Sequence, residues 1–133
     1  MERQSKILRC MPKIMIGGGS VDYDLHVLTL KAEVIPQYEF MCAAVDEAGI
    51  YTAFLNEIMG DIERIEKGHA NCVKESTEGW EFEIKPDGVQ FDGLYDQGTG
   101  GEVSLAQFKL AVQTYLRFLQ DPERKPNEVV FPD

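Results

Sequence analysis

The chain has 133 residues, of which 44% are hydrophobic, enough for one domain with a buried core and too apolar for wholesale disorder. Its formal net charge is −10. Residues 1–13 hold four bases (Arg3, Lys6, Arg9 and Lys13) against Glu2, so the acid is concentrated in residues 14–133, which carry nine bases and 22 acids. Such a body repels nucleic-acid phosphates and anionic lipid and attracts basic proteins. Direct nucleic-acid binding and membrane association are therefore not expected.

Cys10, Cys42 and Cys72 are odd in number and form no CxxC, which argues against a disulfide framework and a zinc ribbon and fits a reducing cytoplasm. The longest early apolar run, Ile14-Met15-Ile16, is too short for a signal peptide. No segment approaches the roughly 20 apolar residues that span a bilayer.

Along the chain, residues 1–20 are either flexible or short strands at Ile7-Leu8 and Ile14-Met15-Ile16, with GGGS at 17–20 as a break. Residues 22–35 alternate as a strand, with Tyr23, Leu25 and Val27 on one face and Asp22, Asp24 and His26 on the other. Residues 37–45 fit either a helix opened by Pro36 or a second strand. The strand is preferred because Gly49 then starts a cleaner helix. That helix covers about 50–66, with Ile50, Phe54, Ile58, Ile62 and Ile65 on one stripe and Lys67-Gly68 as its stop. Gly60 costs it about 1 kcal/mol relative to alanine and can permit close packing. Residues 69–78 form a polar connector.

Residues 79–102 read GWEFEIKPDGVQFDGLYDQGTGGE, with six acids and one lysine. Trp80, Phe82 and Ile84 face a core, and Glu81, Glu83 and Lys85 face away. Pro86-Asp87-Gly88 supplies the turn, and Val89 and Phe91 resume the apolar face. The glycine-rich GTGG links this hairpin to a helix opened by the capping box Ser104-Leu105-Ala106-Gln107. That helix runs from about 105 to 120, with Leu105, Phe108, Val112, Tyr115, Leu116 and Leu119 inward, and Asp121-Pro122 ends it. Residues 122–133 form an extended tail in which Val129-Val130-Phe131 can add an edge strand. Strands joined by short turns and two amphipathic helices imply a single α+β domain over 1–133, with an antiparallel sheet covered by the helices in two layers.

Metal, phosphate and catalytic motifs fail in turn. An EF-hand loop begun at Asp92 meets Leu94, Gln97 and Val103 where a ligand, a glycine and a glutamate are required. His69 and Cys72 make one candidate zinc pair with no second pair. Neither GGGS nor GTGG has P-loop or dinucleotide-fold spacing, and no GxSxG or HExxH occurs. No cofactor, metal or catalytic residue is expected, and the chain is read as a non-enzyme. The acid is then for a basic protein. The expected contact residues are Glu81, Glu83, Asp87, Asp92, Asp96 and Glu102, with Tyr95 as an aromatic hot spot among them.

The Trp-containing hairpin GWEFEIKPDGVQF, its acidic loop and the capped helix LAQFKLAVQTYLRFLQ resemble bacterial immunity proteins. The likeness is to those paired with contact-dependent growth inhibition and other polymorphic toxins, and extends to some small acidic bacterial proteins with a similar carboxy half. The resemblance covers roughly residues 50–120 and carries over no binding residue. It implies tight neutralisation of a cognate toxin domain, often a nuclease, whose phosphate-holding bases suit an acidic cover. Two other classes stay open: an acidic scaffold or regulatory module, including a nucleic-acid mimic, and a small enzyme using Cys42, Cys72 or His69.

Overall fold

The computed structural model describes residues 5–13 and 22–133. The sequence expectation for Ile14-Met15-Ile16 and for GGGS lies outside them, as do the side chains of Asp22 and Tyr23. The fold is α+β with antiparallel sheets. The sequence implies one sheet and two main helices, whereas the described residues form two sheets and three α-helices.

The first sheet has strand order β2-β1-β7, from β1 (Lys6–Lys13), β2 (Asp22–Thr29) and β7 (Asn127–Phe131). Leu8 faces Val27 on one side and Val129 on the other, and Cys10 faces Leu25, so one face is apolar. The strand reading of 22–35 holds as far as Thr29. The chain then turns, and Val34 returns to bridge Leu28. Val129-Val130-Phe131 lies in β7, an edge strand.

Residues 37–45 correct the sequence reading: they are helical. Pro36–Tyr38 make a 3-10 turn that leads into α1 (Glu39–Ala48). Its buried side chains are Met41, Cys42, Ala44, Val45 and Ala48, the one-sided pattern of a 3.6-residue period. Gly49 therefore ends a helix. A Cβ there would lie 2.4 Å from Cε2 of Tyr115, so only glycine lets α1 finish against the third helix.

The next helix, α2 (Thr52–Glu66), starts after Ile50, which is 69% exposed and off the expected stripe. Leu55, Ile58, Ile62 and Ile65 are buried and Phe54 is partly buried. Nothing lies within 4 Å of a Cβ placed on Gly60, so close packing is not its role.

The second sheet has order β3-β4-β5-β6, from β3 (Val73–Ser76), β4 (Trp80–Lys85), β5 (Gly88–Gly93) and β6 (Thr99–Val103). Two of these strands correct the sequence reading, since the polar connector holds β3 and the glycine-rich link holds β6. Hydrophobic alternation marks neither. In β3 the inward positions are Val73 and Glu75, opposite Ile84 and Phe82. In β6 the register shifts by a bulge between Val89 and Phe91, and Gly100 and Gly101 take positive φ, which glycine accepts without strain.

The hairpin itself forms as the sequence implies. Lys85 pairs with Gly88 across the two-residue turn Pro86-Asp87, and Trp80, Phe82, Ile84, Val89 and Phe91 are all buried. The rings of Phe82 and Phe91 lie 5.8 and 6.0 Å from Phe108 of α3 (Leu105–Gln120). The capping box is complete. Gln107 N–H donates to Ser104 Oγ at 3.0 Å, and Ser104 N–H donates to Gln107 Oε1 at 2.9 Å. Gln107 Nε2 also donates to the Pro132 carbonyl at 2.9 Å, so the cap fastens the tail. One cluster of buried side chains joins both sheets and all three helices.

Candidate partner-binding surface

The strand period puts the acids of β4 and β5 on the outer face of the second sheet, because their neighbours in sequence are committed to the core. The turn Pro86-Asp87 sets the register, which places Glu81 directly opposite Asp92 and Glu83 opposite Gln90. Across the other edge of β4, Ser76 faces Glu81 and Lys74 faces Glu83.

Two of these acids have polar neighbours. Lys74 Nζ lies 4.0 Å from Glu83 Oε1, and the Cys72 thiol donates to the same oxygen at 3.5 Å. Asp92 Oδ1 accepts from the Thr99 hydroxyl at 2.6 Å. Among the described residues, no lysine or arginine lies within ion-pair distance of Glu81, Asp87, Asp92, Asp96 or Glu102.

The seven sequence-derived residues do not form one cluster. Glu81 and Asp92 are cross-strand neighbours at the Trp80 end of the sheet. Tyr95 and Asp96 follow on the loop at the same end. Tyr95 is 72% exposed, its N–H bonded to Gln97 Oε1 at 2.6 Å, and Asp96 has φ 62. Asp87 and Glu102 belong to the opposite end, where a Cβ on Gly88 would lie 3.2 Å from Glu102 Oε1. Glu83 stands between the two groups.

Gly79, just before β4, organises the Trp80 end. Its N–H donates to Glu47 Oε1 of α1. Its carbonyl accepts from the Leu94 N–H at 3.0 Å and from Gln97 Nε2 at 2.9 Å. The helix α1 is thus pinned to the loop that carries Tyr95.

A feature missed by the sequence reading lies beside this end. Tyr51, in the turn between α1 and α2, is 72% exposed. With Phe54 and Glu57 of α2 and Lys74, Glu75 and Glu81 of the sheet it lines a groove of about 480 Å³. Asp61, one helical turn beyond Glu57, is 7% exposed. Its Oδ2 is buried without a hydrogen-bond partner, while Oδ1 lies 3.5 Å from Arg64 Nη1. Burial, reinforced by the negative charge of Glu57, raises the Asp61 carboxyl above its ordinary range, and Arg64 opposes the shift. Burial also raises Glu75, with Asp61 and Glu57 adding to it. The spacing Tyr51, Phe54, Glu57, Asp61 carries this face in the sequence, once Ile50 is no longer placed at the head of the stripe.

The two buried thiols offer little for nucleophilic chemistry. Burial pushes the Cys10 thiol up to about 12 and raises Cys42 further, away from a reactive thiolate. Cys72 is exposed, and no hydrogen bond joins its thiol to His69 among the described residues. Among the described residues no group of three His, Cys, Asp or Glu side chains is arranged to hold a metal ion, and no helix is long and apolar enough to cross a membrane.

No family model matches the chain, and no similar curated protein or solved structure was found.

Proposed function

We propose that this protein is an immunity protein: it binds and neutralises a cognate bacterial toxin domain, a basic nuclease, through the acidic outer face of its second sheet. The observation that carries this reading is the direct opposition of Glu81 and Asp92 on that face, with no base paired to either among the described residues. Like charges directly opposite each other across a sheet are destabilising, so the pair works against the fold that displays it. A basic partner removes the repulsion and makes the same carboxylates favourable. A nuclease must carry bases to hold substrate phosphates, and an acidic sheet laid over them competes with the substrate for the same charge.

The test is protection. The product of the gene immediately upstream of this one in its native locus is expressed with and without the chain, and on the proposed reading it is toxic alone. Growth should be rescued by the wild type and lost with the double variant Glu81→Lys/Asp92→Lys, whose circular dichroism should match the wild type. Full protection by the charge-reversed chain would overturn the reading. Similar affinity for many unrelated basic proteins would instead indicate a general acidic scaffold.

A further inference from the structure

The first sheet ends in an open edge at β7, and the backbone bonds at its other edge fix which groups that edge presents. At the outer side of β2, Ile35 N–H donates to the Val27 carbonyl and Thr29 N–H to the Glu33 carbonyl, both at 2.9 Å. Backbone groups of successive strand residues point to alternate sides. The odd residues of β2 therefore face away from β1, and the even ones bond to it. The register pairs Leu28 with Ile7 and His26 with Arg9, so the odd residues of β1 serve β2. Lys6, Leu8 and Cys10 are left for Phe131, Val129 and Asn127 of β7. Pro12 agrees with this parity, because its nitrogen, which bears no hydrogen, then points away from β2. The N–H and C=O groups of Glu128 and Val130 thus point out of the sheet. Among the described residues no loop or side-chain hydrogen bond reaches them, and Val130 is 73% exposed.

We propose that β7 pairs antiparallel with β7 of a second copy of this chain, about a two-fold axis at Val129, and joins two three-stranded sheets into one of six strands.

The sequence around Val129 matches that register. Pro126 and Pro132 stand three residues to either side, with nitrogens directed to the open edge, so neither removes a bond to β1. The two-fold sets each proline against the other in the second copy, where no N–H is lost. Between them the axis sets Glu128 opposite Val130, so every outward N–H of the two edges finds a carbonyl. One residue beyond each proline, Lys125 comes level with Asp133 of the second copy, a base against an acid at both ends. A shift of two residues loses this match. It sets Glu128 either against its own copy, a like-charge pair, or against Pro132, whose carbonyl Gln107 Nε2 already holds.

The remaining edges are less suited. Residues 33–35 bond to the outer side of β2. The edge of β6 is broken by a register shift and by Gly100 and Gly101 at positive φ. The strand β3 has four residues and carries Lys74, and a lysine on a short edge discourages pairing. At β7 the charge is locally balanced, since Glu128 faces Arg9 in the register. The pairing uses no residue of the second sheet, so it goes beyond the acidic-face reading and does not depend on it.

The test uses the full chain. Sedimentation equilibrium at chain concentrations up to about 1 mM should show monomer and dimer, and salt should favour the dimer, because each chain carries a net charge of −10 and screening relieves the repulsion. Val130→Pro removes an outward N–H that β1 does not use. Its circular dichroism should match the wild type, while the dissociation constant of the dimer rises about tenfold or more. Register is read by cross-linking with oxidised glutathione in a Cys72→Ser background, since Cys10 and Cys42 are buried. Val129→Cys should give a covalent dimer, because the axis makes position 129 a non-hydrogen-bonded pair with Cα atoms about 4.5 Å apart, within disulfide reach. Glu128→Cys should not, because an offset of two residues along the strand separates its two copies by more than about 7 Å. A wild type that stays monomeric at low and high salt overturns the proposal. A dimer that a folded Val130→Pro leaves unchanged overturns it too. So does a dimer that cross-links as readily through Glu128→Cys as through Val129→Cys, a comparison that stands even where Val130→Pro fails to fold.

Discussion

The carboxylate of Glu47, in the last turn of α1, accepts the backbone N–H of Gly79, 32 residues further along the chain. The bond joins the helix to the turn that launches β4, and Gly79 in turn holds Leu94 and Gln97 of the loop bearing Tyr95. A buried or half-buried backbone donor that loses a charged acceptor costs about 1–3 kcal/mol. Glu47→Ala should therefore lower stability by about that amount, while Glu47→Gln, which keeps an acceptor oxygen, should lose less. Urea melts with unchanged slope would measure both. Equal losses for the two variants would place the effect in packing rather than in the bond.

Two sets of carboxyls give opposite pH dependences. Burial and neighbouring acids raise Asp61 and Glu75 above their ordinary values in the folded state. Folding thus favours their protonated forms. Their contribution is fully present below the ordinary carboxylate range and is lost as pH rises through the raised folded values. Asp121 behaves in the reverse sense. It accepts the N–H groups of Glu123 and Lys125 at 3.0 and 3.2 Å, and these bonds lower its pKa. Its contribution is present above the ordinary range and is lost as pH falls through the lowered value. Asp61→Asn should accordingly raise the melting temperature near neutral pH and flatten its fall above the ordinary carboxylate range. Asp121→Asn should lower the melting temperature near neutral pH and have less effect in acid. Parallel pH profiles for wild type and Asp61→Asn would count against the buried carboxyl as the cause.

The parts of the fold that can be read from the sequence are those where local period and turn chemistry agree. The alternation from Trp80 to Asp92 around Pro86-Asp87, and the capping box at Ser104, each admit one structure. From them the opposition of Glu81 and Asp92 follows by register alone. Residues 40–45 are different: Phe40-Met41-Cys42-Ala43-Ala44-Val45 is continuously apolar or small, so it satisfies both periods, and only the packing of α1 between the two sheets decides between them. A strand there moves the next helix boundary onto Ile50 and hides the exposed turn that carries Tyr51. The strand β3 escapes the sequence pattern because its inward position Glu75 is an acid, and the cost of that placement appears as the raised carboxyls beside α2.

Gly49 and Gly60 should respond oppositely to alanine. At Gly49 a Cβ would lie 2.4 Å from Tyr115 Cε2 and 3.1 Å from Leu119 Cδ1, and forcing extra volume into packed side chains costs about 1–3 kcal/mol. Gly60 is an exposed residue inside α2, and a methyl group placed on it meets nothing within 4 Å, so alanine there should stabilise by about 0.4–1 kcal/mol. Thermal melts of the two variants in one buffer would check the signs. A destabilised Gly60→Ala would mean that some contact of α2 depends on the missing methyl.

Replacing Glu81 with lysine should separate stability from function. The new ammonium would stand opposite Asp92, converting a like-charge pair into an opposite-charge pair, a change favourable by about 0.2–1 kcal/mol. Glu81 is only half-buried and points away from Trp80 and Phe82, so the core is not disturbed. The free protein should melt slightly higher than the wild type. Binding to the proposed toxin partner should move the other way, because a carboxylate proposed to meet that partner's base is replaced by a repelling charge, and a desolvated pair at an interface centre is worth about 2–5 kcal/mol on truncation. Association of the wild type should slow as salt rises and that of Glu81→Lys should slow less, since screening acts on the charge that steers the encounter. Calorimetry of the free variant and stopped-flow association at two ionic strengths measure the two halves. A variant that is more stable and binds as tightly as the wild type would show that the partner does not use this face. A variant that loses both stability and binding would show that Glu81 supports the fold, and that its opposition to Asp92 is relieved within the chain.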